Sequence, residues 1–185
     1  AEPLVVFAGR HIQEKRVPAV VAGIARARAR GLDVRGVIFG DGPERPAVVE
    51  TIATLGVQDA VEAPGFVAGD LVDDTLRRAL CLLHPSSREG YGLVVVEAAA
   101  HGTPSIVVSG PDNAAVELID PGANGVVAPS AEADDLADAL LAVHEAGLGM
   151  RERTCAWFGE NAERVSLTRS LDMVVAAYAA EPQQR

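Results

Sequence analysis

Short apolar runs alternate with helix-like segments along most of this 185-residue chain, and this alternation constrains the possible folds more than any other feature. Most residues within each run are apolar, without the polar-apolar alternation of a half-exposed strand. This pattern predicts strands that are covered on both faces, as in parallel sheets. The predicted strands span residues 4–8, 34–39, 61–63, 81–84, 105–108 and 126–128.

Helix-like segments fill the intervals between the predicted strands. Strand-helix alternation predicts an α/β, Rossmann-like domain with a six-stranded parallel sheet sandwiched by helices. We expect residues 1–149 to form the core of this single domain, residues 150–181 to form C-terminal helices and residues 182–185 to form a tail. The predicted helices span residues 17–30, 43–55, 71–79, 93–101, 113–119, 131–145, 151–165 and 168–180, with Ser130 capping the sixth.

Composition excludes several classes of function. The net charge of -10 argues against a nucleic-acid-binding or membrane-binding basic face, so any anionic ligand must be met by a few local cations. Cys81 and Cys155 lack metal-ligand spacing and are interpreted as reduced packing residues. No segment has the length of apolar sequence that a membrane span needs. These observations predict a cytoplasmic protein.

The loop after the predicted strand 81–84 contains the most informative motif. Glu89 lies among flexible glycines, and an apolar helix containing Glu97 follows. The N-terminus of that helix offers unpaired N–H groups to a phosphate, and carboxylates accept hydrogen bonds from sugar hydroxyls. Glu89 alone would more simply be a solvated turn residue. We expect Glu97 to be buried among valines and alanines, where its charge needs a partner or a ligand.

Arg10 and Lys15 follow the first predicted strand, and Lys15 is the one lysine among sixteen basic residues. A planar guanidinium and a compact ammonium together suit a diphosphate. By itself, such a pair more often belongs to a solvated loop, here with Glu14 as a partner. Its combination with the Glu89 loop favours the phosphate interpretation.

Other polar residues give weaker signals. The segment 40–43, Gly-Asp-Gly-Pro, is first of all a strand-to-helix turn, although Gly42 would allow the close approach of a base.

The four histidines show no triad or metal spacing. We expect His84 to be a packing or capping residue and His11 to be the one histidine near a ligand. The sequence has no dinucleotide-binding glycine motif, no Gly-Lys-Ser/Thr phosphate loop and no aspartate cluster that indicates a metal.

Taken together, these motifs resemble the C-terminal, nucleotide-sugar-binding domain of retaining GT-B glycosyltransferases of the GT4 class, also called group 1. The resemblance covers nearly the whole chain. It rests on Gly9-Arg10 with Lys15, Gly40-Asp41-Gly42-Pro43, Gly65-Phe66-Val67, the run from Pro85 to Leu93 with Glu97 and Ala98, Gly102-Thr103-Pro104, and Asn124-Gly125.

The resemblance implies half of a GT-B fold and the transfer of a hexosyl group from a nucleotide-diphosphate sugar to an unknown acceptor, with no cofactor and no metal. Glu89, Arg10 and Lys15 are the implied catalytic residues. The implied donor-binding residues are Gly9, Arg10, Lys15, Gly42, Phe66, Val67, Glu89, Gly90, Tyr91, Gly92, Leu93, Val94 and Glu97.

The resemblance also assigns roles to these residues. Arg10 and Lys15 would bind the donor diphosphate, while Glu89 would bind the sugar hydroxyls. Glu97 would bind the ribose, and the amides of residues 91–94 would contact the sugar and the distal phosphate. The backbone of Phe66 and Val67 would lie beside the base.

The family pattern places the acceptor site on an N-terminal domain, which we expect in a parent protein, so this chain alone should bind a donor without transferring the sugar. Any peripheral membrane association would involve that other domain, and no nucleic acid is expected as a partner. Two alternatives remain: a stand-alone or degenerate nucleotide-sugar-binding module, and half of a GT-B-type sugar-nucleotide epimerase.

The sequence departs from the family pattern at two places. Arg16 follows Lys15 where members usually have glycine, which would add a phosphate contact or shift the loop. Residues 109–117 stand where many members of the family have a glycine-rich turn.

Overall fold

The computed structural model describes residues 3–166 and contains a six-stranded parallel sheet with strand order β3-β2-β1-β4-β5-β6. The predicted α/β, Rossmann-like architecture with six parallel strands is confirmed. The predicted helix 168–180 and the tail lie outside the described residues. The strands are β1 (Leu4–Ala8), β2 (Arg35–Phe39), β3 (Val61–Gly65), β4 (Cys81–His84), β5 (Ser105–Val108) and β6 (Gly125–Ala128).

Helices cover both faces of the sheet. They are α1 (Val17–Ala29), α2 (Arg45–Thr54), α3 (Gly69–Arg78), α4 (Leu93–Ala100) and α5 (Ala133–Asn161). The segment 113–119 was predicted as an α-helix but forms a short 3-10 helix, Ala114–Leu118. Asn113 caps it by accepting a hydrogen bond from the Ala115 N–H, and the chain becomes extended again at Ile119, which leaves too few residues for α-helical turns.

The core consists of two apolar layers, one on each side of the sheet. In β1, Val5 and Phe7 face the layer formed with α1, α2 and the first half of α5, whereas Leu4 and Val6 face the layer formed with α3 and α4. These four residues of β1 are all buried. Both faces of β1 are therefore covered, which explains why its sequence does not alternate.

The long helix α5 is broken at Gly147, whose φ of 54° and ψ of -140° are not helical. The two predicted helices 131–145 and 151–165 correspond to its two halves. Ser130 does not cap the helix terminus as predicted, because the helix begins at Ala133. Instead, the Ser130 hydroxyl accepts a hydrogen bond from the Glu132 N–H and donates one to Asp135.

Arg151 anchors the second half of α5 to the sheet layer. Its guanidinium donates hydrogen bonds of 2.6 to 3.2 Å to three backbone carbonyls and to the Thr103 hydroxyl. Two of these carbonyls, those of Arg77 and His101, lie at the C-terminal ends of α3 and α4, where unpaired carbonyl groups attract a cation. The predicted packing role of Cys155 is wrong, because this residue is exposed.

The strand order produces a switch point between β1 and β4. The chain proceeds from β1 to β2 and β3 in one direction, then returns to β4 on the other side of β1 and continues to β5 and β6. Connections therefore diverge at the carboxyl ends of β1 and β4 and leave a crevice between them. None of the helices among residues 3–166 is long and apolar enough to cross a membrane.

Candidate ligand-binding site

A cleft of about 380 Å³ opens at the switch point, between the loop that follows β1 and the loop that follows β4. We call it the central cleft. Eight of the thirteen residues that the sequence predicts at a donor site line this cleft. The lining residues are Ala8, Gly9, Arg10, Ile12, Lys15, His84, Glu89, Tyr91, Gly92, Leu93 and Val94.

Lys15 reaches the cleft from a 3-10 turn, Gln13–Lys15, between β1 and α1. Its ammonium forms an ion pair and a hydrogen bond with Glu89. Arg16 then takes the left-handed conformation, with φ 48° and ψ 41°, and the chain turns into α1. Arginine thus occupies a conformation that glycine adopts without strain. The Arg16 side chain is exposed.

Arg10 is the second cation at the cleft. Its side chain is exposed, and it makes no hydrogen bond or ion pair with any other residue in the range 3–166. A guanidinium without a protein partner keeps all of its donors available for an anion. The protein as a whole carries a net charge of -10, so Arg10 and Lys15 form a local positive site on an acidic molecule.

Glu89 lies opposite these cations with its side chain only 11% exposed. Besides the Lys15 ammonium, its Oε1 atom receives hydrogen bonds from His84 Nε2 at 2.5 Å and from Ser86 Oγ at 3.1 Å. Burial acts to raise the pKa of Glu89, but the hydrogen bonds from His84 and Lys15 outweigh it and lower the pKa to about 2. Glu89 is therefore an ionised acceptor at neutral pH.

Neighbouring loops hold the Glu89 backbone on two sides. The Ser87 N–H donates to the carbonyl of Glu14, at 2.8 Å, and so connects the glutamate loop with the lysine loop. On the other side, the Glu89 N–H donates to the carbonyl of Asp112, and the Ala114 N–H donates to the carbonyl of Glu89. The divergent segment 109–117 thus supports Glu89 through main-chain hydrogen bonds.

The N-terminus of α4 forms one wall of the cleft, where Gly92, Leu93 and Val94 are lining residues. Gly92 has a φ of 92°, and a Cβ atom there would lie 2.9 Å from the Cβ of Ala115. Glycine is therefore required by both conformation and space. The Val95 N–H donates to the Gly92 carbonyl, whereas the N–H groups of Leu93 and Val94 have no partner within the helix and are available to an anionic ligand.

Two further pockets adjoin the central cleft. An apolar pocket of about 300 Å³ shares Ala8, Gly9 and Arg10 with it, and Phe66 at its edge is 86% exposed. A polar pocket of about 400 Å³ lies on the other side of Glu89 and includes Glu117. The remaining lining residues of the apolar pocket are Phe39, Gly40, Asp41, Val67 and Val72.

Three predicted residues, Gly42, Gly90 and Glu97, do not line the cleft or either adjoining pocket. At Gly42, a Cβ atom would lie 2.4 Å from the carbonyl oxygen of His11, so glycine permits the close packing of two loops. Gly90 is exposed in the glutamate loop.

The expectation that Glu97 is buried is wrong. Glu97 is exposed and forms no hydrogen bond or ion pair with the residues that the structure describes. Helix α4 buries Val95, Ala98 and Ala99 but exposes its opposite face, because only one side packs against the sheet. Glu97 lies one turn after Leu93, on the same exposed face as that lining residue.

The prediction for His11 is also wrong, and the prediction for His84 is incomplete, because its buried ring packs on Phe7 and also reaches the cleft. His11 is fully buried and does not line the cleft, and burial lowers the pKa of its imidazole. His84, predicted to be a packing residue, lines the cleft and hydrogen-bonds Glu89. The sequence feature that could have indicated this role is the position of His84 as the last residue of β4, directly at the switch point. No group of three or more potential metal ligands occurs within residues 3–166.

Comparisons with known proteins show the family to which this chain belongs. Residues 2–146 match the family model described as "Glycosyl transferases group 1". The alpha-D-kanosaminyltransferase of Streptomyces kanamyceticus is 31% identical over 138 residues, which cover 75% of this chain and 35% of that protein. The gpi3 subunit of the phosphatidylinositol N-acetylglucosaminyltransferase of Schizosaccharomyces pombe is 35% identical over 139 residues, 75% of this chain and 30% of that protein.

Solved structures show the same fold at low sequence identity. Staphylococcus aureus TarM, in complex with fondaparinux, alpha-GlcNAc-glycerol and UDP, superposes with a TM-score of 0.83 at 18% identity, covering 95% of this chain and 35% of that one. Anabaena HepE, in complex with UDP and glucose, superposes with a TM-score of 0.82 at 20% identity, and the match covers 97% of this chain and 49% of that one. The chain spans roughly a third of the curated relatives described above. It belongs to the group 1 glycosyltransferases, and its fold is that of a GT-B domain.

Proposed function

We propose that this domain binds the nucleotide-diphosphate sugar donor of a retaining hexosyltransferase. The carrying observation is the convergence of Arg10, Lys15 and Glu89 with the N-terminus of α4 in one cleft that adjoins an apolar pocket. A diphosphate, a polyhydroxylated sugar and a planar base need an anion site, a carboxylate acceptor and an apolar surface, respectively. The family membership of the chain supports the same assignment.

Arg10 and Lys15 are the proposed diphosphate ligands. Arg10 lines both the central cleft and the apolar pocket, a location that suits a diphosphate joining sugar to nucleoside. Lys15 would exchange its ion pair with Glu89 for a phosphate oxygen. The N–H groups at residues 91–94 would supply neutral donors to the distal phosphate and the sugar.

Glu89 is the proposed acceptor for hydroxyls of the donor sugar, because its carboxylate is ionised and lines the cleft. Phe66 and Val67 line the apolar pocket, which supports a position for the base between the loops after β1, β2 and β3. Glu97 stays a proposed ribose ligand on the exposed face of α4 beyond Leu93, and no partner among residues 3–166 competes for its carboxylate.

The proposed reaction breaks the bond between the anomeric carbon and the diphosphate oxygen and forms a bond from that carbon to the oxygen of an acceptor hydroxyl, whose proton passes to the leaving diphosphate. Negative charge develops on the leaving diphosphate, where Arg10 and Lys15 would stabilise it electrostatically. These fixed cations would supply the charge neutralisation that a metal ion provides in other sites, so we propose metal-independent transfer.

UDP is the first nucleotide to test, because the TarM and HepE structures contain UDP. Calorimetric titration with UDP, GDP and ADP, each with and without a hexose, should show base-selective binding by this chain. Lys15→Ala and Arg10→Ala should each weaken binding by roughly tenfold or more, since each removes a charge-assisted contact. Arg35→Ala is the matched control, because Arg35 is exposed and begins β2, at the end of the strand opposite the cleft.

Undiminished binding by both cleft variants would contradict the proposed phosphate site. We further propose that acceptor recognition requires residues outside this chain, which spans about a third of the relatives described above. The 185-residue chain should then bind donor without transferring the sugar, and transfer to an added acceptor by this chain alone would refute that part of the proposal.

A further inference from the structure

The two carboxylate oxygens of Glu89 have different surroundings. All three side-chain hydrogen bonds, from Lys15, His84 and Ser86, end on Oε1. The Oε2 atom receives no hydrogen bond from residues 3–166, yet it is not among the buried polar atoms without a partner. Oε2 is therefore open to solvent, while Oε1 is fixed by the protein.

His84 is well suited to fix Oε1. Its side chain is buried at the end of β4, and its ring stacks on Phe7 with centroids 5.9 Å apart and an interplanar angle of 13°. The packed strand end and the aromatic contact restrict the orientation of the imidazole. Through Nε2, the ring contacts both Glu89 and the Ser86 hydroxyl.

The unused ring nitrogen indicates which tautomer is present. His84 Nδ1 is buried and has no hydrogen-bond partner in the described part of the chain. A proton on Nδ1 would be a buried N–H donor without an acceptor, which is costly. The proton therefore resides on Nε2, where Glu89 accepts it. Ser86 donates its single hydroxyl proton to the same carboxylate oxygen.

Phosphate binding would affect the three contacts unequally. Lys15 carries its ammonium on a loop that lines the cleft, so a bound diphosphate competes with Glu89 for it, whereas His84 and Ser86 are buried side chains. We propose that His84 and Ser86 are positioning residues that keep Oε1 of Glu89 fixed and direct Oε2 toward the donor sugar. The identity of that ligand rests on the proposed function. The fixing of Oε1 by His84 and Ser86, which we call the tether, does not.

The tether can be tested by carbon NMR of the Glu89 carboxylate, titrated from about pH 7 to about pH 1, so that a wild-type midpoint near 2 is covered, and assigned by comparison with Glu89→Gln. In His84→Phe, which retains an aromatic ring but loses both nitrogens, the Glu89 midpoint should rise by roughly one pH unit or more. His84→Gln can place an amide donor near the position of Nε2 and should keep the midpoint low. Lys15 and Arg10, the cations at the cleft, are unchanged in both variants.

Two serine variants provide a matched comparison. Ser86→Ala removes a donor to Glu89, whereas Ser87→Ala removes a hydroxyl that bonds to the Glu14 carbonyl and not to Glu89. We expect the Glu89 midpoint to rise in the first variant and to stay at the wild-type value in the second. The serine pair decides the question if His84→Phe fails to fold.

A Glu89 midpoint that stays within a few tenths of a unit of wild type in both His84→Phe and Ser86→Ala would overturn the proposal. A rise in both, with no change in Ser87→Ala and with a low midpoint retained in His84→Gln, is the supporting result. Failure of the wild-type chain to bind any nucleotide would instead count against the proposed function, since the titration needs no ligand.

Discussion

Acidification should destabilise this fold through Glu89. Burial acts to raise the pKa of this carboxyl, but the hydrogen bonds from His84 and Lys15 lower it from the ordinary 4.5 to about 2. A group with a lowered folded-state pKa stabilises the fold above its unfolded pKa and loses that contribution as pH falls toward the folded value. A difference of about 2.5 units between the unfolded-state and folded-state pKa values corresponds to a contribution of roughly 3.4 kcal/mol to the free energy of unfolding at neutral pH. The Glu89 side chain is only 11% exposed, so solvent screening is limited.

Urea unfolding of the wild type and of Glu89→Gln, at about pH 6 and about pH 3, isolates this contribution because glutamine does not titrate. The difference in the free energy of unfolding between the two proteins should shrink by about 2 kcal/mol between these pH values, since most of the linkage is lost below the unfolded pKa. Glu50→Gln is the control. Glu50 is exposed on α2 and has no ion pair within residues 3–166, so its difference should stay constant.

A Glu89→Gln difference that stays constant within about 0.5 kcal/mol over this range would refute the reasoning. It would mean that the pKa of Glu89 is not depressed and that the contacts with Lys15 and His84 do not persist in solution. A parallel change in Glu50→Gln would instead assign the pH dependence to the net charge of the protein.

Three further predictions concern stability and can be measured by urea unfolding. Arg16→Gly should stabilise the fold by about 0.5–1 kcal/mol by relieving the left-handed conformation, whereas Arg16→Ala, which keeps that strain, should not. Gly40→Ala should destabilise the fold by about 3 kcal/mol or more, because its Cβ atom would lie 1.9 Å from the Gly9 carbonyl oxygen. Gly31→Ala should destabilise the fold less, because the space around its Cβ atom is open. Arg151→Leu should lower the free energy of unfolding by about 3 kcal/mol and expose the second half of α5 to hydrogen exchange. Arg153→Leu loses one exposed hydrogen bond and should lower the free energy of unfolding by under about 1 kcal/mol. Equal effects within the Arg16 or Arg151 pair, or a milder effect of Gly40→Ala than of Gly31→Ala, would contradict the respective reasoning.

Much of the fold was predictable because its signals are local. Most strands of the sheet are short apolar runs, although β3 contains Glu62 and Pro64. The glycine at 147 lies between two segments with helical patterns. Helix α4 shows where such signals fail. The apolar run of valines and alanines predicted burial on all sides, but the helix has only one packed face, and neither composition nor periodicity indicates how many neighbours a helix has.

The candidate site was predictable to the extent that it follows from topology. Lys15 and Glu89 are 74 residues apart, and they meet because the strands that precede them, β1 and β4, are adjacent in a parallel sheet. The role of His84 could not be read from residue type or spacing. It depends on the direction of the Glu89 carboxylate. The Glu89 backbone is held by residues distant in sequence, because its N–H donates to the Asp112 carbonyl and its carbonyl accepts from the Ala114 N–H.

The Lys15–Glu89 ion pair has a consequence for the kind of ligand that fits the proposed function. An anion alone can attract Lys15, but it separates the ammonium from a carboxylate that lies in a mostly buried position and loses its main cationic partner. A neutral sugar alone can bond to Oε2, but it meets Lys15 still paired with Oε1 and gains nothing from the cation. A sugar diphosphate supplies an anion for Lys15 and hydroxyls for Glu89 at once, so each half of the ion pair exchanges its partner without being left unpaired. The resting contact therefore favours ligands in which both chemistries are joined in one molecule.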